Sequence, residues 1–372
     1  MEQTPSGPID ILGLTADELA SEARRVLPGS AWVAHDLYAR LFTTGRFEPE
    51  SFPLPPTSVD GWHQHFRAAP LALKKVSEEE TNAGATAKAV FETRDGYEIE
   101  AVRIPMGAAS QTLCVSSQVG CKMGCTFCET GRMGLLRQLT AGEIVAQVFT
   151  ARFVLGWSPK NIVFMGMGEA LDNADHLISA LHVLTQRRGF HYGHDRLTVC
   201  TAGHAEGLRR LAALGWKRLN LSVSLNAPDD ASRSRLMPVN RKTPLAELQR
   251  VLSDYPRRRN FVLGVNYCLM PGLNDSRADA RGVADFCRPL GRVLLNLIPY
   301  NPGHAPLTRA PEDKEVESFM GWLREEGLAV RRRATKGRAI MAACGQLGNA
   351  ELRRRPQRAQ DNSRGLSEDP EP

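Results

Sequence analysis

The sequence predicts an α/β fold, a partial (β/α)6 barrel preceded by a β-hairpin and a small helical unit. Six short apolar segments, each suited to a buried strand, alternate with amphipathic segments suited to helices. This alternation implies parallel strands joined by right-handed crossovers. A hairpin pattern and a proline-bounded helical segment precede them. In such a barrel the active face is built at the carboxyl ends of the strands.

The composition fits one large domain with a small accessory one. The chain has 372 residues, of which 42% are hydrophobic, enough for a full core. It has no apolar run of transmembrane length, and Met1–Pro5 lacks the basic head and apolar body of a signal peptide. We therefore expect a cytoplasmic protein without membrane contact. In that reducing compartment its eight cysteines favour metal and redox chemistry over structural disulfides.

Positive charge is modest overall but clustered. Lys and Arg total 47 against 41 acids, a net charge of +6. Several basic residues come in runs, at 187–188, 257–259, 331–333 with Lys336 and Arg338, and 353–355. Runs at loop ends favour a phosphate-binding face, whereas any single run is more often solvated surface.

Residues 1–75 are predicted to form an N-terminal helical accessory domain. Thr15 suits the N-cap of a helix that begins at Ala16, and a second helix is expected around 34–41. Prolines after residue 52 interrupt the pattern. The small core of this domain is expected to hold four aromatic residues, Trp32, Phe42, Trp62 and Phe66.

Residues 76–110 are predicted to form the β-hairpin extension. Apolar and polar residues alternate from Ala87 to Pro105 on both sides of Asp95-Gly96. An Asp-Gly pair supplies the positive φ angles of a tight turn. Glu100 lies on the second arm of this hairpin.

Residues 111–349 are predicted to form the barrel, and 350–372 a disordered tail too polar to bury a core. The strands are expected at 112–119, 161–166, 196–201, 218–225, 261–269 and 292–298. The helices are expected at 140–155, 174–186, 205–214, 243–255, 276–287 and 313–326. Thr140 and Glu143 form a capping-box pattern, and 327–334 suits a closing strand.

Cys121, Cys125 and Cys128 form a Cys-x3-Cys-x2-Cys triplet just past an apolar stretch. Three thiolates this close can hold three corners of a [4Fe–4S] cluster and leave one iron open to another ligand. The alternative is a structural zinc site with a distant fourth ligand. Zinc ribbons usually bring a second Cys-x2-Cys pair, and the sequence has none.

Three longer strings narrow the interpretation: Cys-Val-Ser-Ser-Gln-Val-Gly-Cys at 114–121, Met-Gly-Met-Gly-Glu at 165–169 and Ala-Cys-Gly-Gln-Leu at 343–347. With the triplet, they resemble the RlmN/Cfr family of radical S-adenosylmethionine (SAM) RNA methyltransferases, in the family's order and over about 100–347. The resemblance implies a radical-SAM barrel, a [4Fe–4S] cluster on the triplet and SAM bound at its open iron. Ala170, which follows Glu169, is more similar to the Cfr branch than to the Glu-Pro-Leu of many RlmN proteins.

The same resemblance implies a SAM site at the strand ends, formed by Gly168, Glu169, Cys200, Ser224, Leu225, Asn226 and Asn301. Glycine permits close backbone approach, and a carboxylate can accept from an ammonium group. Neutral amides where the barrel opens suit a ribose or an adenine. Two positions depart from the family: Cys200 stands where relatives often carry serine, and Asn226 where many carry histidine. Backbone contacts survive both changes.

The resemblance also implies a catalytic relay. Cys344, as a thiolate, takes a methyl group from one SAM, and a radical from a second SAM activates that methyl for addition to C2 or C8 of an adenine. Cys114 then forms a transient disulfide with Cys344, and Glu100 accepts a proton. Glu100 lies one residue off the family's spacing. The alternatives are a solvent-facing glutamate and two buried spectator cysteines.

The sequence thus predicts a monomeric methyltransferase of 23S ribosomal RNA, with transfer RNA as a further candidate. Flavodoxin or ferredoxin would serve as the electron donor. One alternative is a radical-SAM enzyme with a non-RNA substrate, which has no use for Cys114 and Cys344. Another is a non-catalytic RNA-binding protein with a structural metal, which does not explain a SAM-binding strand end.

Overall fold

The computed structural model describes residues 7–81, 84–107 and 110–348. The predicted tail at 350–372 lies outside the described residues. Within them, a ten-stranded sheet runs through the molecule, with helices packed along it. The predicted α/β class and its parallel barrel sheet are confirmed.

The N-terminal part is helical, as predicted. Its elements are β1 (Ile9–Asp10), α1 (Ala16–Val26), α2 (Ala34–Thr44), α3 (Pro56–His65) and β2 (Phe66–Arg67). Thr15 caps α1, because its hydroxyl accepts from the Glu18 amide while the Glu18 carboxylate accepts from the Thr15 amide. The expected aromatic core is wrong at one position: the Trp32 side chain points outward and is 61% exposed.

The β-hairpin extension has one strand more than predicted. It consists of β3 (Ala72–Glu79), β4 (Thr86–Glu92) and β5 (Glu98–Pro105), all antiparallel. The predicted turn between β4 and β5 is present, and Gly96 has a φ of +82°. Strand β3 is largely exposed and forms one edge of the sheet, so its sequence lacks the apolar alternation of a half-buried strand.

The barrel follows from residue 111 onward. Its strands are β6 (Gln111–Cys114), β7 (Gln118–Cys121), β8 (Gly134–Gln138), β9 (Asn161–Phe164), β10 (Leu197–Thr201), β11 (Asn220–Ser224), β12 (Leu263–Leu269), β13 (Val293–Pro299) and β14 (Val330–Arg332). Its helices are α4 (Glu129–Met133), α5 (Ala141–Phe153), α6 (Ala174–Thr185), α7 (Ala205–Ala213), α8 (Asp230–Leu236), α9 (Leu245–Ser253), α10 (Arg277–Cys287) and α11 (Asp313–Glu325).

The strand order places the carboxyl ends of the barrel strands at one edge. The described sheet runs β14-β13-β12-β11-β10-β9-β6-β5-β4-β3, and its pairs from β6 through β14 are parallel. Strand β14 is the predicted closing strand. Strands β7 and β8 form a separate antiparallel pair beside the sheet.

The single predicted strand at 112–119 is wrong, because the chain bends between β6 and β7. The Ser116 backbone leaves the sheet to bond the Gln147 side chain, which accepts from its N–H at 2.8 Å and donates to its carbonyl at 2.8 Å. The Ser117 amide donates to the Met167 carbonyl instead of a neighbouring strand. The bend carries the cysteine triplet over the end of the barrel.

The N-terminal helices share one hydrophobic core with the barrel. Phe42 of α2 lies 6.1 Å from the ring of Phe149 on α5 and 4.9 Å from that of Phe190. Phe42 and Phe149 are almost fully buried. The accessory part is therefore packed on the barrel through a continuous apolar contact.

No helix within the described ranges is both long enough and apolar enough to cross a lipid bilayer.

Candidate active site

A cavity of about 180 Å³ lies at the carboxyl ends of the parallel strands. It brings together most of the residues that the sequence singled out. The predicted residues that line it are Cys121, Cys125, Cys128, Gly168, Glu169, Cys200, Ser224, Asn226 and Cys344.

The cysteine triplet forms one wall of this cavity. Cys121 ends β7, and Cys128 precedes α4, with its amide donating to the Cys125 carbonyl at 3.2 Å. Burial raises the pKa of the Cys121 thiol to about 12 and raises the pKa of Cys125 and Cys128 as well. Three thiols on one wall, one buried and two partly buried, suit a group that binds them as thiolates.

The triplet fits a multinuclear cluster in its donor set. No three His, Cys, Asp or Glu side chains among residues 7–81, 84–107 and 110–348 are grouped as a site for a metal ion. A [4Fe–4S] cluster is held by thiolates bound to different irons, so its cysteines need not converge on one atom. The chemistry of three thiols around a cavity at the barrel mouth therefore fits such a cluster.

Glu169 follows β9 and is held by backbone amides. Its carboxylate accepts from the Leu171 amide at 3.2 Å and from the Ala202 amide at 2.7 Å. Burial outweighs these hydrogen bonds and raises the pKa of Glu169 to about 7. A buried carboxylate on the cavity wall suits an ammonium ligand.

Gly168 is required by both its conformation and its packing. Its φ is +105°, and a Cβ there would lie 2.6 Å from the Gln118 Cβ. The Gln118 side-chain oxygen accepts from the Glu169 amide at 2.7 Å, and its amide donates to Asp172 at 2.9 Å. The strings at 114–121 and 165–169 thus fix each other's backbone at the cavity wall.

Cys200 and Ser224 are neighbours across the cavity floor. The Cys200 sulfur lies 3.7 Å from the Ser224 hydroxyl and 3.3 Å from the Asn266 side-chain amide, which donates to it. Burial raises the pKa of Cys200 to about 11. Cys268 also lines this cavity.

Asn226, Leu225 and Asn301 have internal partners. Asn226 has a φ of +59°, and its side-chain oxygen accepts from the Cys268 amide at 2.8 Å. Leu225 is fully buried, with its amide bonded to the Asn266 carbonyl. Asn301 donates to the Cys344 carbonyl at 3.4 Å and accepts from Arg338. Of these three residues, only Asn226 lines the cavity.

The segment 337–348, here called the Cys344 loop, is hydrogen-bonded to α4, the helix that follows the triplet. The Glu129 amide of α4 donates to the Gly345 carbonyl at 2.8 Å, and the Thr130 hydroxyl donates to the Leu347 carbonyl at 2.6 Å. Cys344 itself is exposed at the mouth of the cavity. The structure therefore brings Cys344 to the triplet although 216 residues separate it from Cys128.

The same loop is fastened to the β-hairpin extension through Glu100. One Glu100 oxygen accepts from the Gly348 amide at 2.9 Å, and the other lies 2.9 Å from the Lys88 ammonium. Lys88 also donates to the Met341 carbonyl at 3.2 Å. Glu100 is buried, so the reading of a solvent-facing strand glutamate is wrong.

Cys114 ends β6 and is buried, and it is not among the residues that line the cavity. Burial first, and then the nearby Cys344, raise its pKa to about 12, whereas Arg333 lowers it. Its thiol therefore requires local deprotonation before it can act as a nucleophile.

Arg233 is the residue near this site that the sequence did not single out. It lies on α8, is fully buried and donates to the carbonyls of Ala202, Ser224 and Leu225. Burial lowers its pKa to about 10, which leaves the guanidinium charged at neutral pH. An isolated arginine in a polar helix pattern gives no sign of burial.

Two of the basic runs make contacts within the protein. Residues 257–259 precede β12, and 331–333 lie at the end of β14. Arg257 donates to backbone carbonyls, and Arg332 pairs with Asp313 and Glu317. The run at 353–355 lies outside the described residues.

Comparison with known proteins identifies the superfamily to which this fold belongs. Residues 115–281 match the model of the Radical SAM superfamily. A solved structure of a radical SAM methyltransferase from Sphaerobacter thermophilus superposes with a TM-score of 0.81 and 35% identity, over 91% of this chain and 99% of that one. The fold is that of a radical-SAM enzyme.

Relatives of known name narrow the class to a family. The chain is 40% identical to the probable dual-specificity RNA methyltransferase RlmN 1 of Protochlamydia amoebophila, over 94% of this chain and 96% of the relative. It is 43% identical to the dual-specificity RNA methyltransferase RlmN of Syntrophotalea carbinolica, over 76% and 75% respectively. The chain belongs to the RlmN family of the radical SAM superfamily.

Proposed function

We propose that this RNA methyltransferase modifies an adenine carbon, C2 or C8, with 23S ribosomal RNA as the main substrate and transfer RNA as a further one. The observation that carries the proposal is the Cys344 loop. It is bonded to α4 beside the cysteine triplet and to Glu100 on β5, with the Cys344 thiol at the mouth of the cavity. A non-RNA radical-SAM enzyme has no need of this arrangement.

The cavity lining offers residues for both cofactors. Cys121, Cys125 and Cys128 would hold a [4Fe–4S] cluster, and Gly168, Glu169, Cys200, Ser224 and Asn226 would contact SAM. When bound, these groups supply the reductive cleavage of SAM that starts radical chemistry. Contacts of SAM with Leu225 and Asn301 remain predictions.

Three side chains carry the methyl group and release the product. Cys344, exposed at the cavity mouth, accepts the methyl on its sulfur and carries it to the base. Cys114, as a thiolate, then attacks that sulfur, and the carbon–sulfur bond to the adduct breaks with its electron pair remaining on carbon, which takes up the proton released by the Cys114 thiol to become the methyl group. Glu100 accepts the proton lost from the ring carbon. Its carboxylate suits this role because Lys88 holds it beside the loop.

The experiment that tests the relay compares Cys114→Ala with Cys344→Ala. Without Cys344 there is no methyl acceptor, so neither protein nor RNA should be methylated. Without Cys114 the sulfur of Cys344 cannot be displaced, so a covalent protein–RNA adduct should accumulate and migrate slowly on a denaturing gel. The double variant should lack the adduct. Wild-type methylation by Cys114→Ala, with no adduct, would sink the proposal.

Nucleoside mass spectrometry of ribosomal and transfer RNA, with and without the protein, identifies the substrate and separates C2 from C8. Cys125→Ala, which removes one cluster ligand, is the inactive control. The absence of any new methyladenosine in either RNA would contradict the proposed RNA substrate and favour a non-RNA one.

We further propose that the protein is a cytoplasmic monomer and that flavodoxin or ferredoxin reduces its cluster.

A further inference from the structure

Arg233 is a fully buried cation without a carboxylate partner among the described residues. Its guanidinium donates to Leu225 O at 3.1 Å, Ala202 O at 2.6 Å, Ser224 O at 3.1 Å and Asn240 Oδ1 at 2.8 Å. All four acceptors are neutral. Buried charges in proteins are normally paired or bound to a metal site, so four neutral acceptors leave this charge without a carboxylate in direct contact.

The cysteine triplet lies near Arg233 in the fold. Ala202 and Ser224, whose carbonyls accept from the guanidinium, line the same cavity as Cys121, Cys125 and Cys128. The end of α8 is also bonded to the triplet, because the Thr126 amide donates to the Leu236 carbonyl at 3.0 Å. Helix α8 thus presents a fixed positive charge to the wall of thiols.

We propose that Arg233 supplies the counter-charge for the [4Fe–4S] cluster and makes its one-electron reduction easier. The inference rests on the proposed function, since it requires a cluster on the triplet. The reduced cluster with its three thiolates carries one more negative charge than the oxidised cluster with the same thiolates. A buried cation nearby favours the reduced, more negative state. One electron arrives from the external donor, and no bond forms or breaks.

The arrangement also links the charge to the SAM wall. Arg233 donates to the Ala202 carbonyl, while the Ala202 amide donates to Glu169 at 2.7 Å. Arg233 contacts neither cavity nor substrate, so it is a positioning and charge-supplying residue. Its hydrogen bonds fix the ends of β10 and β11, and its charge acts on the triplet.

The test compares two substitutions that disturb the hydrogen bonds but differ in charge. Arg233→Lys keeps the charge, and Arg233→Gln removes it. The reduction potential of the reconstituted cluster, followed by electron paramagnetic resonance, should stay near the wild-type value in the lysine variant. It should fall by at least about 59 mV in the glutamine variant, a tenfold loss in the reduction equilibrium. Arg235→Gln, an exposed arginine on the same helix, should change nothing.

A second variant tests the same proposal if Arg233→Gln does not fold. Asn240 accepts from Arg233, and its amide donates to Asp230 at 2.8 Å. The exchange Asp230→Asn with Asn240→Asp keeps the net charge and an amide–carboxylate hydrogen bond but moves the carboxylate to the guanidinium. The potential should again become more negative.

The two proposals fail differently. Wild-type protein without iron and sulfide after reconstitution would refute the proposed function. A full cluster with an unchanged potential in Arg233→Gln, or in the exchange variant where Arg233→Gln does not fold, would overturn only the role of Arg233.

Discussion

At the scale of single residues, Glu169 makes the folded state sensitive to pH. Burial raises its pKa from 4.5 to about 7, so the folded chain binds this proton more tightly than the unfolded chain. The contribution to stability is therefore full below pH 4.5 and is lost as the pH rises through 7. Between pH 5 and pH 8 the loss amounts to about 2 kcal/mol.

Glu169→Gln should remove this dependence. The free energy of unfolding of the cluster-free protein, measured with urea at pH 5 and pH 8, should fall less for the variant than for wild type. The substitution also places a side-chain amide beside the Leu171 and Ala202 amides, which costs stability. This cost does not depend on pH, so it cancels when the two pH values are compared. Glu206→Gln, at an exposed position on α7, is the control. Equal slopes for wild type and Glu169→Gln would contradict the raised pKa.

The sequence patterns predicted the cysteines of the site but not Arg233, the buried charge near them. Cys121, Cys125, Cys128 and Cys344 stand in recognisable strings, and the structure brings all four to one cavity. The charge that faces them does not follow from any string. Arg233 is buried because α8 crosses beneath the ends of two strands, and a tertiary crossing leaves no periodic signal in seven helical residues.

At the scale of elements, Lys88 is expected to secure the Cys344 loop. Its side chain, 12% exposed, pairs with Glu100 and donates to the Met341 carbonyl. Lys88→Met should remove both contacts and leave Glu100 buried without its cation, at a cost of about 3–5 kcal/mol. Hydrogen exchange across 337–348 should accelerate.

Two variants complete that test. Lys88→Arg keeps a cation beside Glu100 and should restore part of the protection. Lys75→Met, at an exposed position on β3, should leave exchange in the Cys344 loop unchanged. Wild-type exchange at 337–348 in Lys88→Met would mean that the contacts of Lys88 do not secure the loop.

The boundaries of helices and strands were predictable wherever an apolar run or a capping residue marked them in the sequence. Helix α5 follows Thr140, whose hydroxyl and Glu143 form the expected capping box. Strands β9 to β13 fall within a few residues of the apolar runs that predicted them. The break between β6 and β7 was not predictable, because it depends on a distant glutamine, Gln147, that takes over the backbone groups of Ser116.

At the scale of the whole molecule, the shared core predicts one unfolding transition. Phe42 packs on Phe149 and Phe190 across the boundary between the N-terminal helices and the barrel. Phe42→Ala should destabilise by about 3–5 kcal/mol. Calorimetry should show a single transition at a lower Tm, since both parts lose the same contact. Two transitions, with the barrel's unmoved, would contradict this coupling.

The position of the Cys344 loop has a consequence for synthesis. Gly348 bonds to Glu100 across 248 residues, and contacts so distant in sequence close late in folding. On the ribosome, the triplet and every strand of the barrel emerge before this loop. A nascent chain stalled before residue 337 therefore has Cys121, Cys125 and Cys128 in place before Cys344 and its loop can dock beside them. Assembly of the cavity is complete only when residues 337–348 dock.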